Sequence, residues 1–284
     1  MVTKGKDSSS APFVDISPQE FHAIADLVYQ TFGIHLTDQK ITLVKGRLQT
    51  LLKEMNMISF KQYYDYVVQD RTDRALIELI NLLTTNHTYF NREREHFDFI
   101  TRSFLPRIES ETLHDRDIRI WSAGCSSGEE PYMLVILMME FFGESYHKWK
   151  CGVLATDISD RVIRLARSGI YPEERLKELP NPIRLKYFHP MSNRQWQVND
   201  PVRNEVTYRR FNLMNSVFPF KKGFHAIFCR NVMIYFDLPT RTRLIERFYH
   251  HLVPGGYLFI GHSETLGRDH HYFKYIQPAL YQRL

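Results

Sequence analysis

The chain has 284 residues, of which 43% are apolar and 24% are charged, the composition of a globular protein that can bury a sizeable core in two domains. The net charge of +5 favours acidic partners, but the basic residues are scattered and do not select among nucleic acid, an acidic protein surface and a membrane face. Cys125, Cys151 and Cys229 lie far apart, which argues against a disulfide framework or a zinc site and indicates free thiols in a reducing cytosol. The N-terminus has no signal-peptide core, and the most apolar run, Pro131–Phe142, is too short to span a membrane.

The first ninety residues predict a disordered polar tail followed by a small helical domain. Ser17-Pro18-Gln19-Glu20 is a capping box with proline at the first helical position, and Gly33 is a typical end for that helix. Lys40 and Arg47 are seven residues apart and share the outer face of the second helix. No catalytic constellation is present in this domain. The predicted segments are the tail over 1–14, the helical domain over 15–90 and, after the first helix, helices near 38–55, 59–68 and 72–83.

The remaining chain predicts a linker and then an α/β domain. A polar and aromatic segment at 84–92 precedes another helix, and the charged stretch 109–117 marks the domain boundary. Beyond it, strands and helices alternate, which predicts a parallel sheet with right-handed crossovers and a ligand site at its carboxyl edge. Between 170 and 211 the alternation of strands and helices is interrupted, which predicts a small β subdomain. Such an insertion usually adds a surface for a partner or substrate. The predicted segments are the linker helix and loop over 91–117, the sheet domain over 118–284, strands at 118–123, 151–156, 224–229 and 257–261, helices at 129–142, 159–167 and 239–252, and a closing hairpin over 271–284.

The first strand–turn–helix unit, residues 118–132, carries the first functional signal. Gly124 and Gly128 allow a tight turn and a close approach of the backbone to a ligand. The turn is not a phosphate loop, because no G-x-x-x-x-G-K-[ST] is present and the helix opens with Glu129 and Glu130, which would repel a phosphate. The turn therefore favours a cationic ligand with hydroxyls or amines, and S-adenosylmethionine fits this description.

Polar residues after later strands extend this signal. Asp157 ends the second strand, where a carboxylate accepts hydrogen bonds from ribose hydroxyls, although it could instead cap the next helix. Asn231 can present its amide to adenine or to a methyl acceptor, and Tyr235 fits either the methyl-transfer position or the aromatic core. Asn212 follows the third strand, where adenine contacts are common, but taken alone it is better explained as a turn residue. Val232-Met233 replaces the Pro-Pro-Tyr or Pro-Pro-Phe typical of base N-methyltransferases, which argues against that chemistry.

Five motifs together make the chain resemble the bacterial chemotaxis receptor methyltransferases, the CheR family. They are TTNHTYFNRE (84–93), WSAGCSSGEEPY (121–132), LATDIS (154–159), FCRNVMIYFD (228–237) and PGGYLFIGHSE (254–264), within a resemblance that covers about residues 17–284. The resemblance implies an all-α N-terminal domain followed by an α/β, Rossmann-like S-adenosylmethionine-dependent methyltransferase domain with a small β insertion. It also implies a protein-glutamate O-methyltransferase that modifies glutamate side chains in the cytoplasmic coiled coils of chemoreceptors, the reaction of sensory adaptation.

The same resemblance assigns roles to individual residues. Arg92 and Tyr235 would border the transferring methyl group as catalytic residues, and Arg92 would pair with Glu130 across the cofactor. Lys40 and Arg47 match a basic helix that docks on the acidic receptor bundle, and a solvated charged face is the alternative. The cofactor is S-adenosylmethionine, with S-adenosylhomocysteine as product and no metal. The cofactor-binding residues implied are Asn86, Thr88, Arg92, Glu130, Asp157, Asn212, Leu213, Asn231 and Val232.

The β insertion indicates which type of family member the chain resembles. Some members bind a receptor's C-terminal pentapeptide by strand addition, and they carry a glycine-bearing extension there. Residues 187–212 contain no glycine and are a few residues short, so we predict the pentapeptide-independent type. We also expect a cytoplasmic monomer that acts on chemoreceptors without nucleic acid or membrane insertion, with recruitment to membrane receptor arrays left open. Two alternatives remain: an RNA or small-molecule methyltransferase of the same fold, and a non-catalytic module that senses S-adenosylmethionine or S-adenosylhomocysteine.

Overall fold

A computed structural model of the chain describes residues 14–267 and 270–284, and the chain divides into two compact units between Thr85 and Asn86. The tail predicted over residues 1–14 lies outside the described residues, except for its last position. Among the described residues, no helix combines the length and the apolarity needed to cross a membrane.

The first unit is helical, as the sequence predicts. The amide of Glu20 donates to the Ser17 hydroxyl at 3.3 Å and the Ser17 amide donates to the Glu20 carboxylate at 2.9 Å, so the predicted capping box is present. Gly33 ends the first helix with a φ of 71°, a conformation that glycine adopts without strain. The elements of this unit are α1 (Pro18–Phe32), a 3₁₀ turn (Asp38–Lys40), α2 (Ile41–Glu54), α3 (Phe60–Gln69) and α4 (Arg74–Leu83).

The second unit contains the alternating strands and helices. Its first segment after residue 93 is helical throughout, with a π-helical turn (Ile100–Phe104) between two α-helices. The elements are α5 (Arg94–Phe99), α6 (Leu105–Glu111), β1 (Asp117–Ala123), α7 (Glu129–Phe142), β2 (Lys150–Asp157), α8 (Asp160–Ser168), β3 (Ile170–Pro172), α9 (Asn181–Tyr187), β4 (Phe188–Pro190), β5 (Gln195–Val198), α10 (Asp200–Asn204), β6 (Val206–Arg210), β7 (Phe224–Cys229), α11 (Leu238–His251), β8 (Leu252–Ile260), β9 (Phe273–Gln277) and β10 (Leu280–Arg283).

A seven-stranded sheet in the order β6-β2-β1-β7-β8-β10-β9 forms the centre of this unit. The five strands from β6 to β8 are parallel, and β10 and β9 add an antiparallel hairpin at one edge. The predicted parallel sheet and closing hairpin are confirmed. Helix α7 is apolar on most of its surface and is correspondingly buried, because it packs in the core beside the sheet.

Two segments differ from the sequence interpretation. The helical run over 94–111, which was assigned to a linker, places Phe97, Ile100 and Phe104 in the same buried cluster as the strands. Their helical spacing gives the run an apolar face, so it packs as part of the second unit. Strand β6, which was included in the β subdomain, instead pairs in parallel with β2 as an outer strand of the main sheet. Its alternating Val206 and Tyr208 are buried, as one face of a sheet requires.

The rest of the insertion forms its own small sheet, in which β5 lies between β3 and β4 and all pairs are antiparallel. The predicted β subdomain is therefore present, and its separate β sheet spans residues 170–198 rather than reaching 211.

We predict that Gly128→Ala destabilises the second unit by about 2 kcal/mol or more, because Gly128 has a φ of 95° and an added Cβ would lie 2.8 Å from both the Ala166 Cβ and the Tyr208 hydroxyl. The matched control is Gly152→Ala, in a strand of the same unit, where a Cβ meets nothing within 4 Å. It should leave stability unchanged or raise it by about 0.5 kcal/mol. Calorimetric unfolding of both variants checks this, and equal melting temperatures would contradict it.

Candidate active site

The carboxyl ends of β1 and β7 meet at the glycine turn predicted from the sequence. Gly124 has a φ of 96°, and its amide donates to the Thr156 carbonyl at 2.8 Å. A Cβ at this position would lie 2.4 Å from Cγ2 of Val232, which follows β7. The turn therefore needs glycine because two loops of the sheet edge press against each other there. This contact brings the first motif and the FCRNVMIYFD motif into one place.

Asp157 ends β2 at the same edge. Its carboxylate accepts hydrogen bonds from the amides of Ser126 at 2.9 Å and Ser159 at 3.0 Å. Burial raises the pKa of the Asp157 carboxyl, although these backbone donors oppose the shift. Ser159, rather than Asp157, caps α8, because its hydroxyl accepts from the Val162 amide. The helix-cap alternative for Asp157 is therefore wrong, and its ribose role stays a prediction.

The two glutamates that open α7 have separate environments. Glu129 is fully buried, accepts from the Ser127 hydroxyl at 2.7 Å and pairs with Arg175. Burial raises its pKa. Glu130 keeps 14% of its side chain exposed, and its carboxylate accepts from the Ser122 hydroxyl at 2.7 Å. Glu129 thus has a complete set of internal partners, and Glu130 is the glutamate that lies at the sheet edge with some exposed surface.

Arg230 is the partner of Glu130, and the sequence analysis missed it. Its side chain is 4% exposed, and its Nη1 donates to the Glu130 carboxylate at 2.8 Å. Its other donors reach the Glu93 carboxylate, at 3.2 Å from Nη2, and the Arg92 carbonyl. The guanidinium of Arg92 donates instead to the His87 carbonyl at 2.8 Å. Glu130 therefore pairs with Arg230 and not, as expected, with Arg92. Arg230 can reach Glu130 because it directly follows β7, the strand beside β1.

The signal for Arg230 was present in the sequence. It is a charged residue directly after the fully buried strand β7, whose residues are apolar except for His225, and it lies inside a quoted motif. A charge at such a position requires an internal counter-charge. The sequence could not say which carboxylate supplies it, since Glu93 lies far away along the chain.

The turn after β7 is fixed by a second carboxylate, Glu264. It is buried and accepts from the amides of Asn231 and Ile234, each at 3.0 Å, and burial raises its pKa. Asn231 adopts a positive φ of 58°, and its side-chain amide donates to Glu93 at 3.3 Å. This network orients Asn231, and its predicted contact with the cofactor stays a prediction.

The segment that begins with Asn86 runs beside the glycine turn. The Asn86 carbonyl accepts from the Ser126 hydroxyl at 2.9 Å, and the Thr88 carbonyl lies 3.5 Å from Nη1 of Arg175. Together with the bond between Arg230 and the Arg92 carbonyl, these contacts hold the backbone of the three predicted residues of this segment along the sheet edge.

The remaining predicted residues of the second unit lie in turns after β6 and β7. Asn212 Oδ1 accepts from the Met214 amide at 2.9 Å, an Asx turn that agrees with its turn interpretation. The Leu213 carbonyl accepts from Arg247 at 3.0 Å. Tyr235 ends a 3₁₀ turn and is partly exposed, which differs from a core aromatic residue.

The two predicted receptor-binding residues lie in the first unit. Arg47 in α2 donates to the Leu82 carbonyl at 3.0 Å and to the Thr85 hydroxyl at 3.1 Å, at the end of α4. It thereby satisfies a carbonyl that a helix C-terminus leaves unpaired. Lys40 is partly exposed in the preceding 3₁₀ turn. Arg47 therefore has a structural role, and the docking role of both residues stays a prediction.

The sequence analysis expected no metal. In the described part of the chain, Glu93, His96 and His262 place potential ligand atoms within 4.8 Å of one another. Burial, reinforced by Arg230, lowers the pKa of His96 to about 3, so its ring is neutral at neutral pH. Glu93 already pairs with Arg230, and that guanidinium would repel a divalent cation. The expectation of no metal stays a prediction.

We predict that Arg230→Met lowers the free energy of unfolding of the second unit by about 3–5 kcal/mol, because it leaves Glu93 and Glu130 buried without a counter-charge. Arg92→Met is the matched control, since this arginine is partly exposed and donates to a single carbonyl, and it should cost about 1 kcal/mol. Denaturant titration measures both, and a similar loss in the two variants would contradict the buried ion network.

Comparison with known proteins agrees with this site. The family described as "CheR methyltransferase, SAM binding domain" matches residues 86–281, and "CheR methyltransferase, all-alpha domain" matches residues 19–84. The chain is 42% identical to the chemotaxis protein methyltransferase of Borreliella burgdorferi, over 95% of this chain and 96% of that protein. It is 35% identical to chemotaxis protein methyltransferase 2 of Pseudomonas aeruginosa, over 93% and 92%, and 36% identical to the chemotaxis protein methyltransferase of Escherichia coli K12, over 88% and 85%.

Both units match, the relatives extend over nearly the whole chain, and the turn, carboxylates and parallel sheet are in place. This protein belongs to the CheR family of S-adenosylmethionine-dependent chemotaxis methyltransferases.

Proposed function

We propose that this methyltransferase modifies glutamate side chains in the cytoplasmic helices of a chemoreceptor and produces glutamate methyl esters. The proposal rests mainly on the close contact between the Gly124 turn and Val232 at one edge of the sheet. Glu130, Asp157 and the segments that bear Arg92 and Tyr235 lie at the same edge. The names of the relatives, chemotaxis protein methyltransferases, agree with a receptor substrate.

The charge of the site suits the cofactor. Glu93 and Glu130 share one guanidinium, that of Arg230, so this buried cluster keeps one net negative charge. S-adenosylmethionine carries a sulfonium and an ammonium against a single carboxylate, so its net charge is positive and is attracted to this edge. Asp157 is held by two backbone amides and has lone pairs left to accept ribose hydroxyls. Asn86, Thr88, Asn212, Leu213, Asn231 and Val232 complete the proposed cofactor contacts.

The reaction follows from the substrate. A glutamate is ionised at neutral pH, since its ordinary pKa is about 4.3, so no general base is needed. A carboxylate oxygen attacks the methyl carbon in line, the new C–O bond forms as the C–S bond breaks, and the electron pair stays on sulfur in neutral S-adenosylhomocysteine. The contribution of the enzyme is placement of the two reactants and exclusion of water.

Arg92 and Tyr235 are the proposed orienting groups. Arg92 can hold a carboxylate by charge-assisted hydrogen bonds, either that of the substrate or that of the cofactor. It must not bind the attacking oxygen too tightly, because stabilising the nucleophile in the ground state raises the barrier. Tyr235 can orient the same carboxylate through its hydroxyl.

Recognition of the receptor is proposed to be independent of a C-terminal pentapeptide. Strand addition needs an edge strand with free backbone donors. The edge strands β3 and β4 are three residues long, and they contain Pro172 and Pro190, which have no N–H to donate. The loop over 191–194 between β4 and β5 is short and lacks glycine.

Lys40 and Arg47 are then proposed to contribute positive charge to docking on an acidic helical bundle. We further propose a cytoplasmic monomer without a nucleic-acid partner.

We predict that Asp157→Ala weakens S-adenosylhomocysteine binding at least tenfold, because the ribose hydroxyls lose their acceptor, a loss of about 1.4 kcal/mol or more. Isothermal titration calorimetry measures the affinity. Asp160→Ala, three residues further on in α8 and half-exposed, is the control and should bind like the wild type. Unchanged affinity in Asp157→Ala would exclude the proposed cofactor position.

We predict equal rates, within about twofold, of labelled-methyl transfer to a receptor cytoplasmic fragment with and without its C-terminal tail, since the short β3 and β4 edges offer little for strand addition. The product ester is identified by its lability to base. A strong dependence on the tail would overturn pentapeptide independence. Cofactor binding without transfer to any receptor fragment would favour the sensing module, and transfer to RNA instead would favour the nucleic-acid alternative.

A further inference from the structure

A cavity of the methyltransferase unit lies at the outer strand of the main sheet. It has a volume of about 480 Å³ and is open to solvent. Its walls come from the end of α8, from α10 and from β6, which is the outermost strand on this side. None of its residues belongs to the proposed cofactor or substrate positions. The lining residues are Arg167, Arg203, Asn204 and Val206–Arg209.

Two arginines in this cavity share one acceptor. Arg167 Nη2 and Arg209 Nη1 each donate to the Tyr208 carbonyl at 2.8 Å, so two positive charges are held side by side. Such charges repel each other. Within 14–267 and 270–284, neither of these exposed guanidinium groups has a carboxylate within 4.0 Å. The neighbouring Asp200 pairs with Arg203, and Asp160 pairs with Arg210. The pair therefore carries uncompensated positive charge.

Protection of the sheet edge explains only part of this arrangement. The Tyr208 carbonyl lies on the outer side of β6, because the Glu205 carbonyl and the Phe211 amide, at odd-numbered positions, bond to β2. An arginine that covers an outer carbonyl blocks pairing with another chain, and one arginine is enough for that. Each guanidinium has five N–H donors, so both retain donors for a ligand.

Arg203 supplies a third guanidinium to the cavity. Its Nη1 donates to the Ser168 carbonyl at 3.1 Å, and its Nε is buried without an acceptor among the described residues. A Cβ at Gly169 would lie 3.0 Å from the Arg203 Cδ, so this glycine is what allows the arginine to lie along the wall. The Arg203 side chain is thus packed against Gly169 and forms part of the cavity wall.

We propose that this cavity, the arginine cavity, is a binding site for a phosphate-bearing small molecule. The planar forks of guanidinium groups match the oxygens of a phosphate, and adjacent positive charges match its double negative charge. The cavity is an open depression of about 480 Å³, an extent that fits a compact oxyanion better than a nucleic-acid duplex or a helical protein surface. The lining contains no acidic residue, and the neighbouring Asp200 is paired with Arg203, so Arg167 and Arg209 supply the positive charge for an anion.

The test is calorimetric titration of the full chain with inorganic pyrophosphate at low ionic strength, with the cofactor site saturated by S-adenosylhomocysteine. We expect saturable binding to the wild type and at least tenfold weaker binding to the double variant Arg167→Gln/Arg209→Gln. Arg161→Gln is the matched control, since Arg161 is exposed on the same helix but does not line the cavity, and it should bind like the wild type. The melting temperatures of all three proteins show that folding is intact.

Ribose 5-phosphate, titrated in the same way, distinguishes an organic phosphate ester from the free oxyanion as the preferred source. The proposal is overturned if the wild type shows no saturable binding of pyrophosphate or of ribose 5-phosphate, or if the double variant binds both as well as the wild type. It is also overturned if an oligoglutamate peptide binds to the cavity and neither phosphate compound does, because the site would then recognise an acidic protein segment.

Discussion

The buried guanidinium of Arg230 imposes the main constraint on the catalytic edge of the sheet. Removing a charge from water costs several kcal/mol, so it must be compensated by partners inside the protein. Glu130 at the start of α7, Glu93 and the Arg92 carbonyl provide this compensation. Three segments that are distant in sequence are thereby held together, and each of them carries some of the proposed cofactor contacts.

This arrangement connects stability with ligand charge. With one guanidinium for two carboxylates, the cluster is neutralised only in part, and burial makes the remaining charge effective over a short distance. At the proposed cofactor position, a cationic cofactor would complete the balance, whereas a phosphate-bearing cofactor would add repulsion. Glu130 at the N-terminus of α7 opposes a phosphate for the same reason, whereas Glu129 is already paired with Arg175. The sequence pattern and the buried network therefore agree on the sign of the ligand.

Local sequence patterns predict a large part of the fold. The features that they do not predict depend on pairing between strands or side chains that are distant in sequence. The capping box at Ser17 and the turn at Gly124 are encoded by neighbouring residues, so they could be predicted. The alternation in β6 fits the edge of either sheet, and only its pairing with β2 decides between them. Arg230 was overlooked as a site residue because its counter-charge at Glu93 lies in a different segment, which no local pattern can identify.

The proposed reaction also explains how such a site can release its products. Before transfer, the substrate carboxylate is negative and the sulfonium is positive, and each is attracted by the charges around it. After transfer, the methyl ester is neutral and S-adenosylhomocysteine has lost its sulfonium charge. If Arg92 holds the substrate carboxylate, as proposed, that ion pair would be lost, and the Glu93–Glu130 cluster would attract the cofactor product less strongly. In the proposed site, the electrostatic attraction for the products would therefore be weaker than that for the reactants.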